Sequence, residues 1–193
     1  MPDFLLGLPA ELASHSYKHR DVSQFKGRDV AVIGAGASAV NLADELSREG
    51  AHARIIARSP EIEYNRLPDA SDYTLFARIQ RPASGIGRGW KSMFCAQAPL
   101  LFYRLPDALK QRAIRSHMKP AAGFYMRGTM EGRVATSLGR SVAKAEEASG
   151  KIALTLRDRA GTHETLAFDH VVAATGYHPD MRRVPFLSKN LCG

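Results

Sequence analysis

Short apolar runs, glycine turns and one amphipathic stretch set the pattern of this chain. Asp29-Val-Ala-Val-Ile33 is apolar after its first residue and rich in β-branched side chains, as a strand buried on both faces of a parallel sheet would be. Gly34-Ala-Gly-Ala-Ser-Ala39 follows at once. Apolar residues then recur at helical spacing, at Ala39, Val40, Leu42, Ala43 and Leu46, and Gly50 is a stop signal. Ala51-His-Ala-Arg-Ile-Ile-Ala57 reads as a second strand. The order predicts a β-α-β unit with a right-handed crossover.

The pattern is weaker beyond residue 60. Helices are expected over Asp72 to Gln80 and Pro106 to His117, with Asp107 favourable in the first turn of the second. Pro82-Ala-Ser-Gly-Ile-Gly-Arg-Gly-Trp90 has the composition of a loop. After Arg133 come four short strands, Val134 to Leu138, Val142 to Glu146, Ile152 to Leu156 and Thr165 to Phe168. Gly150 and Gly161 punctuate them, which predicts a small antiparallel meander. Asp169-His-Val-Val-Ala-Ala174 is a last buried strand, ended by Thr175-Gly176. The fold class is therefore α/β: a Rossmann-like parallel sheet with helices and an antiparallel β-meander. Residues 1–28 are expected to form a lead-in or hinge, 29–180 the Rossmann-like domain, and 181–193 a C-terminal hinge.

Composition changes this picture little. The 193 residues are 45% hydrophobic and 24% charged, enough for one domain with a proper core. The longest apolar run, Ala98 to Tyr103, is far short of the roughly 18 residues of a membrane span. The first residues lack the basic start and apolar stretch of a signal peptide, so a cytoplasmic protein without membrane attachment is expected. Cys95 and Cys192 are far apart, and the absence of C-x-x-C argues against a zinc ribbon or local redox disulfide. Of the seven histidines, only His15 and His19 have four-residue spacing, and no Glu follows His15; both are read as loop residues, and no metal is expected.

The net charge of +8 admits an anionic partner, but the cations are scattered. Arg157/Arg159 and Arg182/Arg183 are among the densest groups, and no nucleic-acid motif accompanies them. A solvated basic surface around a polyanion site is the preferred reading, without nucleic acid.

The pattern Gly34-x-Gly36-x-x-Ala39 is the dinucleotide fingerprint in its Ala-ending form. Gly34 allows the strand-to-helix turn, Gly36 lets backbone approach a pyrophosphate, and Ala39 lets helix and strand pack closely. The helix N-terminus offers free N–H groups and partial positive charge to phosphates. Ala35, Ala37 and Ser38 complete the loop, and the Ser38 hydroxyl can reach a phosphate. The flanking strands and helix supply the context that a bare motif lacks.

The end of the second strand separates the cofactors. An NAD site usually has Asp or Glu there for the ribose hydroxyls, whereas this chain has Arg58-Ser59. Arg58 presents a fork to a 2′-phosphate and Ser59 a further donor, which favours NADP(H) over NAD(H). The cluster Gly85-Ile-Gly-Arg-Gly89 follows no strand and is read as a loop.

These residues together resemble the NADP(H)-binding domain of flavin-containing and Baeyer–Villiger-type monooxygenases, FAD-dependent pyridine-nucleotide oxidoreductases. His15-Ser-Tyr17 with Phe25-Lys-Gly27-Arg resembles the lead-in of that group, and Val32 to Ala39 its second dinucleotide loop. Arg58-Ser59 resembles its 2′-phosphate site, and Asp169 to Tyr177 its D-x-V-I-x-A-T-G-Y strand and turn. The resemblance implies NADPH delivering hydride to FAD, and it adds Thr175 and Gly176 to the cofactor site. It departs in three ways. No FAD loop precedes Gly34; Pro9 and Glu11 stand where the Baeyer–Villiger signature has Phe and Gly; and residues after Phe186 do not return to an FAD domain. The residues present are thus expected to be the NADP(H) domain with its hinges, inactive alone. FAD would be held by a missing domain or a partner chain; the partner expected is such an FAD-domain chain or a second copy in a homo-oligomer.

No residue is an evident acid, base or nucleophile, so no catalytic residue is assigned. A short-chain reductase is rejected, because no Tyr has Lys four residues later. The remaining alternative is a stand-alone dinucleotide-binding module, or a remnant, without turnover. The substrate is not legible.

Overall fold

The computed structural model describes residues 1–65, 74–85, 87–117 and 121–176. Tyr177, the hinge 181–193 with Cys192, and the expected helix start at Asp72 lie outside these residues. The chain divides into two compact units, 1–64 with 121–193, and 65–120.

The first unit is built on a parallel sheet. Its strands are β1 (Ala13–His15), β2 (Asp29–Ile33), β3 (His52–Ala57), β6 (Ala135–Leu138) and β10 (His170–Ala173), in the order β1-β10-β2-β3-β6. Central β2 pairs Val32 with Val172 of β10 on one side and with Ile55 of β3 on the other. Val30, Ala31, Val32, Ile55, Val171 and Val172 are wholly buried, which explains their unbroken apolar run. Helix α1 (Ala37–Arg48) packs its stripe of Ala39, Val40, Leu42, Ala43 and Leu46 on one face, joined by Met126 and Met130 of the short helix α6 (Met126–Met130). The opposite face is covered by β7 (Ser141–Ala148), β8 (Lys151–Arg157) and β9 (His163–Phe168), an antiparallel sheet whose Ile152, Leu154, Leu156 and Phe168 meet Ala31, Ile33 and Ile56.

Three expectations are corrected here. Val134 to Leu138 does not open the meander: Ala135–Leu138 pairs parallel with β3, Leu138 opposite Ala57. The meander therefore has three strands among the described residues. His15 is not a loop residue but closes β1, where it pairs with Ala173. The loop 82–90 contains a minimal hairpin, β4 (Ala83–Ser84) with β5 (Gly87–Arg88). This hairpin belongs to the second unit, which also holds the helices α2 (Leu75–Gln80), α3 (Trp90–Gln97), α4 (Pro99–Tyr103) and α5 (Asp107–His117). Cys95 is half-buried in α3.

Candidate functional site

Five parallel strands end along one edge, and the chain leaves β2 towards β3 and β6 while β10 lies on the other side of β2. That reversal is a topological switch point at the carboxyl ends of β2 and β10, and open α/β sheets bind ligands in the crevice outside such a point. Gly34 and Thr175-Gly176 sit there.

Gly34 follows β2 with φ +140°, and its N–H donates to the Ile56 carbonyl at 2.9 Å. A Cβ added to it would lie 3.0 Å from the carbonyl carbon of Ala174, nearer still to its oxygen, and 3.4 Å from the Ala39 Cβ. Gly34 is thus required twice, by its backbone conformation and by the closeness of β10. Ala39 is fully buried beneath it.

Gly36 is different. It N-caps α1 with φ −82° and ψ 176°, extended backbone open to any residue. Its carbonyl accepts from Ala39 and Val40, at 3.0 and 3.1 Å. No side chain caps α1, and the amides of Ala37 and Ser38 have no partner among the described residues. Ala37 and Ser38 are exposed, and Gly34, Ala35 and Gly36 are half-buried. Open N–H groups at the start of a twelve-residue helix, on accessible backbone, fit an anion such as a pyrophosphate.

Arg58 is exposed immediately after β3. The carbonyl of Ser59 accepts from Gly139 at 2.8 Å, and that of Ala57 from Arg140 at 2.9 Å, so the start of β7 is held against this strand end. The Ser59 hydroxyl accepts the Glu61 N–H at 3.4 Å and keeps its own proton to donate. Beside it lies a cleft of about 480 Å³ lined by Arg58, Gly139, Ser141 and residues 157–161. Thr175 and Gly176 are exposed, and Gly176 has φ +86°. The ten sequence-predicted residues, Gly34, Ala35, Gly36, Ala37, Ser38, Ala39, Arg58, Ser59, Thr175 and Gly176, therefore sit at the carboxyl ends of three strands, β2, β3 and β10.

Sequence reading did not foresee the polar chain beside β1. Nδ1 of buried His170 lies 2.9 Å from the Glu11 carbonyl, which can only accept, so Nδ1 carries the proton. Nε2 then accepts the Ser14 hydroxyl at 2.7 Å, and Ser14 Oγ accepts from His19 Nε2 at 2.6 Å. Burial lowers the pKa of both histidines; the bond to Glu11 opposes this at His170, and Lys18 adds to it at His19. The pKa of His15, at the end of β1, is likewise lowered by burial, opposed by a hydrogen bond with the Gly176 backbone.

At the other end of β10, Asp169 accepts the Asp29 N–H at 2.8 Å and pairs with Lys151 at 2.8 Å. The Lys151 bond, then the Asp29 amide, holds its carboxyl below the usual range. This places the Asp of the sequence motif in a tie between strands, away from the crevice.

Residues 5–81 match the pyridine nucleotide-disulphide oxidoreductase family. The match covers less than half of the chain. Over nearly its full length, the chain shares the fold of three solved monooxygenases. The reduced form of ornithine hydroxylase from Pseudomonas aeruginosa is 19% identical with a TM-score of 0.72, over 95% of this chain and 44% of that one. L-lysine 6-monooxygenase from Pseudomonas syringae is 18% identical with a TM-score of 0.63, over 93% and 43%. The ornithine N-hydroxylase of Kutzneria sp. 744, described with reduced FAD, NADP+ and L-ornithine, is 18% identical with a TM-score of 0.61, over 88% and 41%. The chain spans less than half the length of each. No curated protein matches the sequence. Among the described residues, no helix is long and apolar enough to cross a membrane, and no cluster of side chains could hold a metal ion.

Proposed function

We propose that this chain binds NADP(H) across the carboxyl ends of β2, β3 and β10 and serves as the nicotinamide-binding part of a flavin-dependent monooxygenase. The observation that carries the reading is the pairing of an uncapped α1 N-terminus with Arg58 at the next strand end. The first suits a pyrophosphate, and the second suits a 2′-phosphate. Gly34, Ala35 and Gly36 approach the pyrophosphate with backbone, while the amides of Ala37 and Ser38 donate to it. Ala39 keeps α1 close to β2. Arg58 and Ser59 hold the 2′-phosphate, and Thr175-Gly176 line the crevice on the β10 side.

Bound NADPH supplies a hydride, and flavin is the acceptor in the group that the sequence resembles. The flavin would sit on a further domain or a partner chain, because the dinucleotide loop read in this sequence, Gly34 to Ala39, is taken by the nicotinamide cofactor. Gly85, Gly87 and Gly89, the remaining glycine cluster, do not fit a second dinucleotide loop: Gly87 lies in an antiparallel hairpin, and no parallel strand leads into Gly85. The residues of this chain bind and orient the nucleotide, and none of them transfers a proton in the proposed step.

A second reading, a dinucleotide-binding module without turnover, is favoured by the loop Gly34 to Ala39, which has no titratable side chain. The two readings share the same site. Titration of the chain with NADPH and NADH, alone and as Arg58→Ala, tests that site. Loss of a charge-assisted contact predicts roughly ten- to a hundredfold weaker NADPH and little change for NADH. Equal losses for both would remove Arg58 from the 2′-phosphate site.

A further inference from the structure

The cleft beside Arg58 is lined by two more arginines, from a part of the chain a hundred residues away. Strand β8 ends at Arg157, and the turn to β9 carries Asp158 and Arg159. This turn is firmly built. Asp158 N–H donates to the Thr162 carbonyl at 3.1 Å, Thr162 N–H to Asp158 Oδ1 at 2.8 Å, and Gly161 N–H to the Asp158 carbonyl at 3.3 Å. Arg157 pairs in register with Ser141, two residues beyond Gly139, which is tied to Ser59. The meander therefore brings its β8–β9 turn to the end of β3.

The charge balance there is uneven. Arg58, Arg157 and Arg159 all line the cleft, and none has a hydrogen-bonded or ion-paired side-chain partner among the described residues. The one carboxylate, Asp158, is already engaged with the Thr162 amide, which holds its pKa low. Neighbouring Arg140 shows the contrast, since it is paired with Glu164 at 2.6 Å. Three guanidiniums against one carboxylate repel one another, and a dianion in their midst offsets that repulsion. Guanidinium forks match phosphate oxygens in pairs, and a cleft of about 480 Å³ takes a phosphate together with its sugar.

We infer that Arg157 and Arg159, with Arg58, form one site for a phosphate monoester, the 2′-phosphate of NADP(H), so that the meander sets cofactor choice. This rests on the NADP(H) reading above and extends it to residues outside the β-α-β unit. The site also gives the meander a role beyond covering the sheet.

The test is equilibrium titration of the full chain with NADPH, NADH and 2′,5′-ADP, which carries the phosphate without nicotinamide. Arg157→Gln with Arg159→Gln should weaken NADPH and 2′,5′-ADP by about tenfold or more and leave NADH within about twofold. Lys18→Gln with Arg20→Gln removes the same charge from an exposed segment and should leave the NADPH to NADH ratio unchanged. If the double variant does not fold, Arg159→Gln alone, on the exposed turn, gives the same readout. An unchanged ratio in the arginine variants, with the ratio lost in Arg58→Ala, overturns this inference and leaves the NADP(H) reading intact. Equal losses of NADPH and NADH overturn it as well. A parent chain that binds none of the three probes overturns both.

Discussion

The carbonyl oxygen of Ala174 occupies the space that a side chain at Gly34 would need. One strand end thus dictates the residue at another, and the glycine is held by the fold before any ligand is considered. Gly34→Ala combines a backbone clash with an unfavourable φ of +140°. About 2–4 kcal/mol of stability should be lost, read as a fall in the midpoint of denaturant unfolding. An unchanged midpoint would mean that the Ala174 turn moves aside freely.

Ser14 links two imidazoles in one directed chain. Ser14→Ala leaves His170 Nε2 buried without a donor, at a cost of about 1–3 kcal/mol. Ser14→Thr keeps the hydroxyl and should retain more of the stability than Ser14→Ala. Denaturant unfolding at pH 7.5 compares them, and equal losses would contradict the chain of bonds.

Acid should weaken the fold in two steps. The pKa of His170 and His19 lies below the ordinary 6.5 in the folded protein, chiefly through burial. The unfolded chain therefore binds more protons as pH falls through 6.5, and stability drops from there. Asp169 has its pKa lowered from 3.8, mainly by Lys151, so its contribution is present above 3.8 and lost at lower pH. Unfolding free energy measured from pH 8 to pH 3 should fall in both windows. Replacing His19 and His170 by Gln should make the upper one shallower, leaving the part that belongs to His15, and an unchanged slope there would contradict the assignment.

The pieces that were legible in the sequence are those whose pattern is local. Strands β2 and β3 and helix α1 follow from apolar runs and 3.6-residue spacing, and β10 from Val171 to Ala173. Strand β1 was hidden because Ala13-Ser-His15 has no alternation; its pairing with Val171 to Ala173 makes it a strand. The run that becomes β6 is legible but its place is not, since Ala135-Thr-Ser-Leu138 does not encode whether its partner runs parallel. Helices α3 and α4 carry no clear apolar stripe, and Leu100, Leu101 and Tyr103 are exposed. At the candidate site, the glycine loop and Arg58 were readable from spacing. The dense pair Arg157 and Arg159 was visible too, but only the β8–β9 turn places it beside Arg58.

The purified chain should carry no flavin, because its one dinucleotide loop at Gly34 to Ala39 is assigned to the nicotinamide cofactor. An absorption spectrum before and after adding FAD, followed by desalting, checks this. A stoichiometric yellow complex would reassign the loop.

The most direct measurement is the affinity of the parent chain and of Gly36→Val for NADPH and NADH, with the melting temperature of both proteins. Gly36 has φ −82° and ψ 176°, backbone that Val adopts without strain, and the melting temperature of the variant separates a lost nucleotide contact from a lost fold. The parent should bind NADPH more tightly than NADH, and Gly36→Val should bind neither. A parent with no affinity for either nucleotide, or a variant that binds both as the parent does, would contradict this.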